Sequence, residues 1–122
     1  MDKEQSIQNF WSRFGIPAYD ENSVPDDVSY PFIAYTVSTG MLDGAISLYA
    51  NIYYRSSSWK EVTQKKEEIA QYLGAGGVTI KLDNGYSYFC QGSPFAQRMS
   101  EPGDDSVKRY YLILQAEFLT AY

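Results

Sequence analysis

Two sets of side chains alternate along residues 45–55, and this period of two is typical of a β-strand with one covered face. The set expected on the covered face is Ile46, Leu48, Ala50, Ile52 and Tyr54. The set expected on the opposite, partly solvated face is Ser47, Tyr49, Asn51, Tyr53 and Arg55. The chain is therefore predicted to contain a sheet that is covered on one side only, as antiparallel sheets commonly are.

Two amphipathic helices are predicted to supply the cover. In the first, from about Lys3 to Phe14, the apolar residues recur with the period of one helical face. Gly15 is suited to end this helix, and Pro17 prevents its continuation. The residues of the apolar face are Ile7, Phe10, Trp11 and Phe14.

The second helix is predicted to begin at Ser58, because Ser58 and Glu61 have the spacing of a capping box. The glycine-rich residues 74–77 are expected to end it. Its side toward the sheet is predicted to carry Trp59, Val62, Ile69 and Leu73. Since both tryptophans lie on apolar helical stripes, we expect Trp11 and Trp59 to be core residues.

Further strands are predicted on either side of the segment 45–55. Pro31 has no N–H and favours an extended residue before it, so it suits the entry to a strand from about Phe32 to Thr39. Residues 40–44 are predicted to form a glycine-bracketed turn between the two strands. Residues 18–27, which precede Pro31, are predicted to be a loop.

A hairpin is predicted after the second helix. Asn84-Gly85 lies between the strand patterns 78–82 and 86–90, and this dipeptide favours a type I′ turn, which requires positive φ at both central residues. Residues 92–98 are predicted to be irregular or a short edge strand. Residues 100–106 are predicted to form an exposed loop.

The last strand is predicted from about Val107 to Leu119, and Leu114 and Phe118 are expected in the core. Its apolar face consists of Leu112, Leu114, Ala116 and Phe118. The order of elements predicts a single α+β domain over residues 1–122, with a mostly antiparallel sheet and two helices packed on one face.

Composition narrows the classes of partner. The chain has 12 tyrosines, which either a β-rich domain or a protein–protein surface explains. A formal net charge of −5 argues against a nucleic-acid-binding surface and against an anionic membrane surface, since both require basic patches. No stretch approaches the roughly 18 apolar residues of a membrane-spanning helix.

The side chains of common active sites are scarce. The chain has no histidine, the commonest general base, and its single cysteine, Cys90, excludes an internal disulfide and a thiolate zinc site. Cys90 follows Phe89 in a strand pattern and is predicted to be a buried, inert thiol. The acidic pairs at 26–27 and 104–105 could bind a cation or act as an acid pair, but exposed turns explain both. We therefore predict no catalytic residue, no metal site and no cofactor.

Four segments resemble the tail terminator and tail completion proteins of long-tailed bacteriophages, including their minor capsid relatives. The first is the N-terminal helix followed by YPFIAYT at 30–36, and the second is YYRS at 53–56 ahead of the capped helix. The others are the short hairpin after that helix and the acidic turn at 104–105 that leads into KRYYLIL at 108–114. The resemblance spans nearly the whole chain.

The resemblance implies a structural protein of a phage or prophage virion rather than an enzyme. Such proteins form a ring, usually hexameric, that caps the tail tube and joins the tail to the head. The implied partners are further copies of the chain, the tail tube protein and a head-completion or connector protein. DNA would pass through without specific binding, and no membrane is involved. The protein would be assembled in the host bacterial cytoplasm and reside in the virion.

Two alternatives remain open. One is another head–tail connector or minor capsid protein of the same fold, and the other is a small enzyme or ligand-binding domain that uses its acidic loops. The predicted interaction surface consists of two apolar residues in the glycine-bracketed turn and three tyrosines opposite the core face. These residues are Met41, Leu42, Tyr49, Tyr53 and Tyr111.

Overall fold

The computed structural model describes residues 1–39 and 44–121 and contains one six-stranded sheet with two α-helices. The helices are α1 (Lys3–Ser12) and α2 (Lys60–Leu73). The strands are β1 (Ala18–Asp20), β2 (Phe32–Tyr35), β3 (Ile46–Arg55), β4 (Val78–Leu82), β5 (Gly85–Ser100) and β6 (Val107–Thr120). A short 3-10 helix, Glu21–Ser23, follows β1.

The strands lie in the order β1-β2-β3-β6-β5-β4, and every neighbouring pair is antiparallel except β1 with β2. Both helices pack against the same face, which we call the inner face, while the outer face is the opposite one. Helix α2 contacts β3, β5 and β6, and α1 contacts β1 and β4. This arrangement confirms the predicted α+β fold.

The inner face and the helical stripes form one hydrophobic core. The alternation of β3 is confirmed, since Leu48, Ala50 and Ile52 are almost completely buried. From α1 and the residues just after it the core receives Ile7, Phe10, Trp11 and Phe14, and from α2 it receives Val62, Ile69 and Leu73. From β6 it receives Tyr110, Leu112, Leu114, Ala116 and Phe118. The predicted placement of Trp11, Leu114 and Phe118 is thus confirmed.

The capping box occurs on α1 and not on α2. The Asp2 carboxylate accepts a hydrogen bond from the Gln5 amide at 2.8 Å, and the Gln5 side chain accepts one from the Asp2 amide at 2.9 Å. The predicted box at Ser58 is wrong, because α2 is preceded by Trp59, which makes no side-chain cap. The Ser58 hydroxyl instead accepts a hydrogen bond from the Lys60 amide at 3.3 Å.

Residues 18–27 were predicted to be a loop, but the first three of them form a strand. Residues Ala18–Asp20 form β1, which pairs in parallel with β2. Strand β2 ends at Tyr35 and is therefore shorter than the predicted 32–39. The predicted turn at 40–44 falls largely on residues 40–43, which lie outside the described residues.

Strand β5 is continuous where an irregular segment or a short edge strand was predicted. It covers 85–100 and pairs with β6 on both sides of a register shift between Gln91 and Ala96. Gly92 stands within this irregularity, and a Cβ there would come within 2.7 Å of the Ile113 carbonyl oxygen. Glycine thus permits a close backbone approach at a bulge. The bulge interrupts the alternation of side chains between the two faces, and strand prediction from sequence depends on that alternation.

The β4–β5 hairpin forms where predicted, but its turn is not type I′. Leu82 pairs with Gly85, which leaves Asp83 and Asn84 as the two loop residues. In the described part of the chain no residue other than glycine has a positive φ, whereas Gly85 has φ 154°. A Cβ at Gly85 would lie 2.0 Å from the Leu119 carbonyl oxygen, so this glycine is required by contact with β6.

Two predicted core residues are only half-buried. Trp59 packs at the margin of the core rather than within it. Cys90 is half-buried because the strand alternation places it on the face opposite Phe89. The prediction of a buried thiol is therefore wrong.

Truncating Phe118 should destabilise the protein strongly. The Phe118 ring is 2% exposed and meets Phe89 edge-on at 6.3 Å between ring centroids. We expect Phe118→Ala to lower the free energy of unfolding by about 3–5 kcal/mol, measured by chemical denaturation. Leu119→Ala is the matched control, since Leu119 is 57% exposed and should cost less than about 0.5 kcal/mol. Equal effects of the two substitutions would contradict the assigned inner face.

A buried pair of serines joins α1 to β5 and gives a second prediction. Ser6 Oγ lies 2.6 Å from the Lys3 carbonyl and 2.7 Å from Ser87 Oγ. Because the Ser6 hydroxyl has one proton and donates it to Lys3, Ser87 must donate to Ser6. Ser6→Ala therefore leaves the Ser87 donor without its acceptor and should cost about 1–3 kcal/mol of unfolding free energy.

The double variant distinguishes this hydrogen-bond penalty from a packing effect. Ser87→Ala should cost less than Ser6→Ala, because Ser6 keeps its bond to the Lys3 carbonyl. Combining both substitutions should recover part of the loss caused by Ser6→Ala, measured as a double-mutant cycle. Strictly additive losses would contradict the bond between the two hydroxyls, and a larger cost for Ser87→Ala than for Ser6→Ala would refute its assigned direction.

Candidate interaction surface

Three of the five predicted interaction residues lie together on the outer face. Tyr49 and Tyr53 point outward from β3, and Tyr111 points outward from β6 beside Asn51. We call Tyr49, Tyr53 and Tyr111 the outer tyrosine surface. Met41 and Leu42 lie outside the described residues.

Tyr49 and Tyr111 form a stacked pair across neighbouring strands. Their ring centroids are 5.6 Å apart and their planes differ by 10°. Tyr49 remains 36% exposed, whereas Tyr111 is half-buried. Burial, with the charges of Tyr49 and Glu21, raises the pKa of Tyr111 above its ordinary value of 10.0. Tyr111 is therefore neutral at pH 7, and both rings present apolar area to solvent.

Tyr53 belongs to a second aromatic group, which sequence reading did not identify. It stacks on Phe32 of β2, with centroids 4.7 Å apart and planes differing by 15°. Phe32 also contacts Tyr19 and Tyr30, and it is only 5% exposed although it lies on the outer face. Burial raises the pKa of Tyr53, and this effect outweighs the opposing charge of Arg109.

Charged and polar side chains next to these rings are hydrogen-bonded within the domain. Arg109 Nε lies 2.7 Å from Glu101 Oε1, and Arg109 Nη1 donates to Asn51 Oδ1 at 2.9 Å. The partly exposed rings of the outer tyrosine surface therefore lie beside polar groups that already have partners. This composition is typical of contact surfaces between proteins.

The acidic pair at 104–105 is part of a structured turn. The Asp104 carboxylate accepts hydrogen bonds from the Ser106 hydroxyl at 2.6 Å and the Ser106 amide at 2.9 Å. These bonds, with a smaller contribution from nearby Arg55, lower the pKa of Asp104 below its ordinary value of 3.8. The described residues contain no group of three or more side chains arranged to hold a metal ion.

A cluster of cations surrounds Trp59 at the start of α2. The Arg98 guanidinium lies 4.8 Å and the Lys108 ammonium 5.7 Å from the Trp59 ring centroid. Tyr110 meets the indole edge-on at 6.0 Å, and Arg98 Nε donates to the Tyr110 hydroxyl at 3.2 Å. We call Trp59, Arg98 and Lys108 the basic patch.

The positive charge around Trp59 affects the pKa of Tyr110. Burial acts to raise the pKa of Tyr110, but the hydrogen bond from Arg98 and the nearby charge of Lys66 lower it overall. Sequence reading missed this patch because its residues are distant in sequence and come from α2, β5 and β6. The adjacency of 98 to 110 follows only from the strand register.

Comparisons with known proteins identify the fold but no family. Neither the protein-family models nor the curated proteins contain a match. Among solved structures, a chain from the virion of a native gene transfer agent particle has a similar fold, with a TM-score of 0.55 and 10% sequence identity. The match covers 89% of this chain and 83% of that chain. At this identity the likeness establishes a shared fold. No helix of the described residues is long and apolar enough to span a membrane.

The stacked pair Tyr49–Tyr111 should contribute measurably to stability. A double-mutant cycle with Tyr49→Ala and Tyr111→Ala is expected to give a coupling energy of about 0.2–1 kcal/mol, typical of cross-strand aromatic pairs. Tyr49 and Tyr86 provide the control cycle, since they lie on strands that are not neighbours and should not couple. Equal coupling in the two cycles would contradict a direct contact between the stacked rings.

Proposed function

We propose that this protein is a structural component of a phage or prophage virion. The observation that carries the proposal is the fold that the chain shares, over 89% of its length, with a chain of the gene transfer agent virion. The similarity is spread over the whole sheet-and-helix arrangement and is not limited to one supersecondary motif. A place in the virion also agrees with the resemblance of the segments 30–36, 53–56 and 108–114 to tail completion proteins.

Within the virion, we propose that the protein acts as a tail terminator. Several copies would form a ring, hexameric in the family it resembles, on the end of the tail tube and join it to the head. The outer tyrosine surface supports this role, because partly exposed, stacked rings on a sheet supply apolar contact area at a low cost in side-chain entropy. The same fold evidence supports a connector or minor capsid position as the second candidate.

The proposal assigns the protein no catalytic activity. The side chains brought together on the outer face are aromatic rings and internally paired polar groups, which suit contact rather than proton transfer. The formal charge of −5 supports passage of DNA without specific binding. The proposed partners are further copies, the tail tube protein and a head-completion protein, assembled in the host cytoplasm.

Sedimentation velocity at high micromolar concentration, together with electron microscopy of the protein mixed with tail-tube ends, tests the proposal. We expect a concentration-dependent mixture of monomer and oligomer, and ring-shaped density on the tube ends. The mixture reflects the net negative charge, which opposes close packing of copies in dilute solution. A species that stays monomeric and leaves the tube ends bare would contradict the terminator role.

A double substitution tests whether the outer tyrosine surface mediates self-association or binding to tube ends. We expect Tyr49→Ser combined with Tyr111→Ser to reduce self-association, tube-end binding or both, while circular dichroism confirms the fold. Tyr86→Ser is the matched control, because Tyr86 is 47% exposed but lies on β5, away from the stacked pair. If neither activity changes in the double variant, the outer tyrosine surface is not the contact surface.

A further inference from the structure

The basic patch is an oriented pair of cations in an otherwise acidic protein. Arg98 makes a cation–π contact with the Trp59 ring and donates a hydrogen bond to the Tyr110 hydroxyl. Lys108 makes a cation–π contact with the same ring and donates a hydrogen bond to the Asp105 carbonyl oxygen. Among the described residues, neither Arg98 nor Lys108 forms an ion pair with a carboxylate. Lys108 contributes in small part to the lowered pKa of Asp104. Aromatic rings thus position two cations that retain the capacity to bind an anion.

The segment 20–27 has the opposite character. It contains Asp20, Glu21, Asp26 and Asp27 and no lysine or arginine. Asp26 and Asp27 are exposed, and within residues 1–39 and 44–121 neither forms an ion pair. We call residues 20–27 the acidic segment. It begins at Asp20, the last residue of β1, which is the edge strand at that end of the sheet.

The strand register places these two features at opposite edges of the sheet. Arg98 pairs with Tyr110, and the same row continues through Ile52 and Ile33 to Ala18 in β1. Strand β4 pairs only with 85–89, so β5 is the edge strand at this row. The row comprises five strands, and four spacings of about 4.8 Å put Arg98 and Ala18 about 19 Å apart.

We propose that the basic patch binds the acidic segment of a second copy of this chain. Each copy then offers a basic edge to one neighbour and an acidic edge to the next, which is the head-to-tail geometry of a heterologous interface. The inference rests on the proposed self-assembly and adds the surfaces that orient it. Edge-to-edge contact leaves the outer tyrosine surface of each copy accessible to the next component of the particle.

Charge complementarity favours a second copy over nucleic acid as the occupant. The acidic segment supplies four carboxylates within eight residues, which suits a planar guanidinium and an ammonium held by the same indole. A nucleic acid would instead approach a protein of net charge −5 through a patch of only two free cations.

Charge reversal with rescue is the test, read by sedimentation of the full chain. Arg98→Glu, and separately Asp26→Lys combined with Asp27→Lys, should each weaken self-association by about tenfold, since each opposes like charges across the contact. Mixing the two variants should restore association, because the reversed patch of one faces the reversed segment of the other. Raising the ionic strength from about 0.01 M to about 1 M should weaken wild-type association, as the Debye length falls from about 30 Å to about 3 Å.

Lys81→Glu is the control, because it makes the same change of charge at an exposed position on β4. Equal weakening by Lys81→Glu, or no restoration on mixing, would refute the assigned edges while leaving self-assembly intact. A wild-type protein that never associates would overturn both this inference and the ring. Binding of a single-stranded oligonucleotide that is lost in Arg98→Glu would assign the basic patch to nucleic acid instead. Melting temperatures of all variants establish that each is folded.

Discussion

The antiparallel pairing of β3 with β6 is the interaction on which the rest of the structure depends. It extends over ten residue pairs, from Ile46 with Ala116 to Arg55 with Val107. A shift of one residue in this register would turn one of the two strands over relative to the other and move its apolar set to the outer face. The register therefore decides at once which side chains the helices cover and which tyrosines remain on the outer face. Strands β2 and β5 extend the same two faces on either side.

Aromatic packing beneath the helices makes this pairing specific. Phe10 of α1 contacts Trp11, Phe14, Tyr72 of α2 and Phe89 of β5, with centroids 4.8–5.9 Å apart. One buried ring therefore links both helices to the sheet. Aromatic rings prefer edge-on and tilted geometries, so these contacts fix the position of each helix on the sheet. Apolar burial alone would not be directional. Rigidity of this kind suits a subunit whose outer surface must present rings in fixed positions.

The sequence predicted those parts of the fold that depend on local periodicity. The alternation at 46–54 and the stripe of Phe10 and Trp11 identified the inner face, and Tyr49, Tyr53 and Tyr111 were correctly placed opposite it. The errors occurred where long-range contacts override local pattern. Gly92 interrupts the alternation of β5 at a bulge, and Gly85 is explained by its approach to Leu119. The cations around Trp59 are brought together only by the pairing of β5 with β6.

The two tryptophans report on different parts of the molecule. Trp11 is fully buried and stacks near Tyr35, with centroids 6.5 Å apart, whereas Trp59 is half-buried beneath Arg98 and Lys108. The emission of an indole inside the core changes when the domain unfolds. The emission of an indole beside surface cations changes when another molecule binds those cations. Intrinsic fluorescence of this chain therefore carries two separable signals, one from folding and one from the basic edge. Replacing either tryptophan by phenylalanine isolates the other signal without an added label.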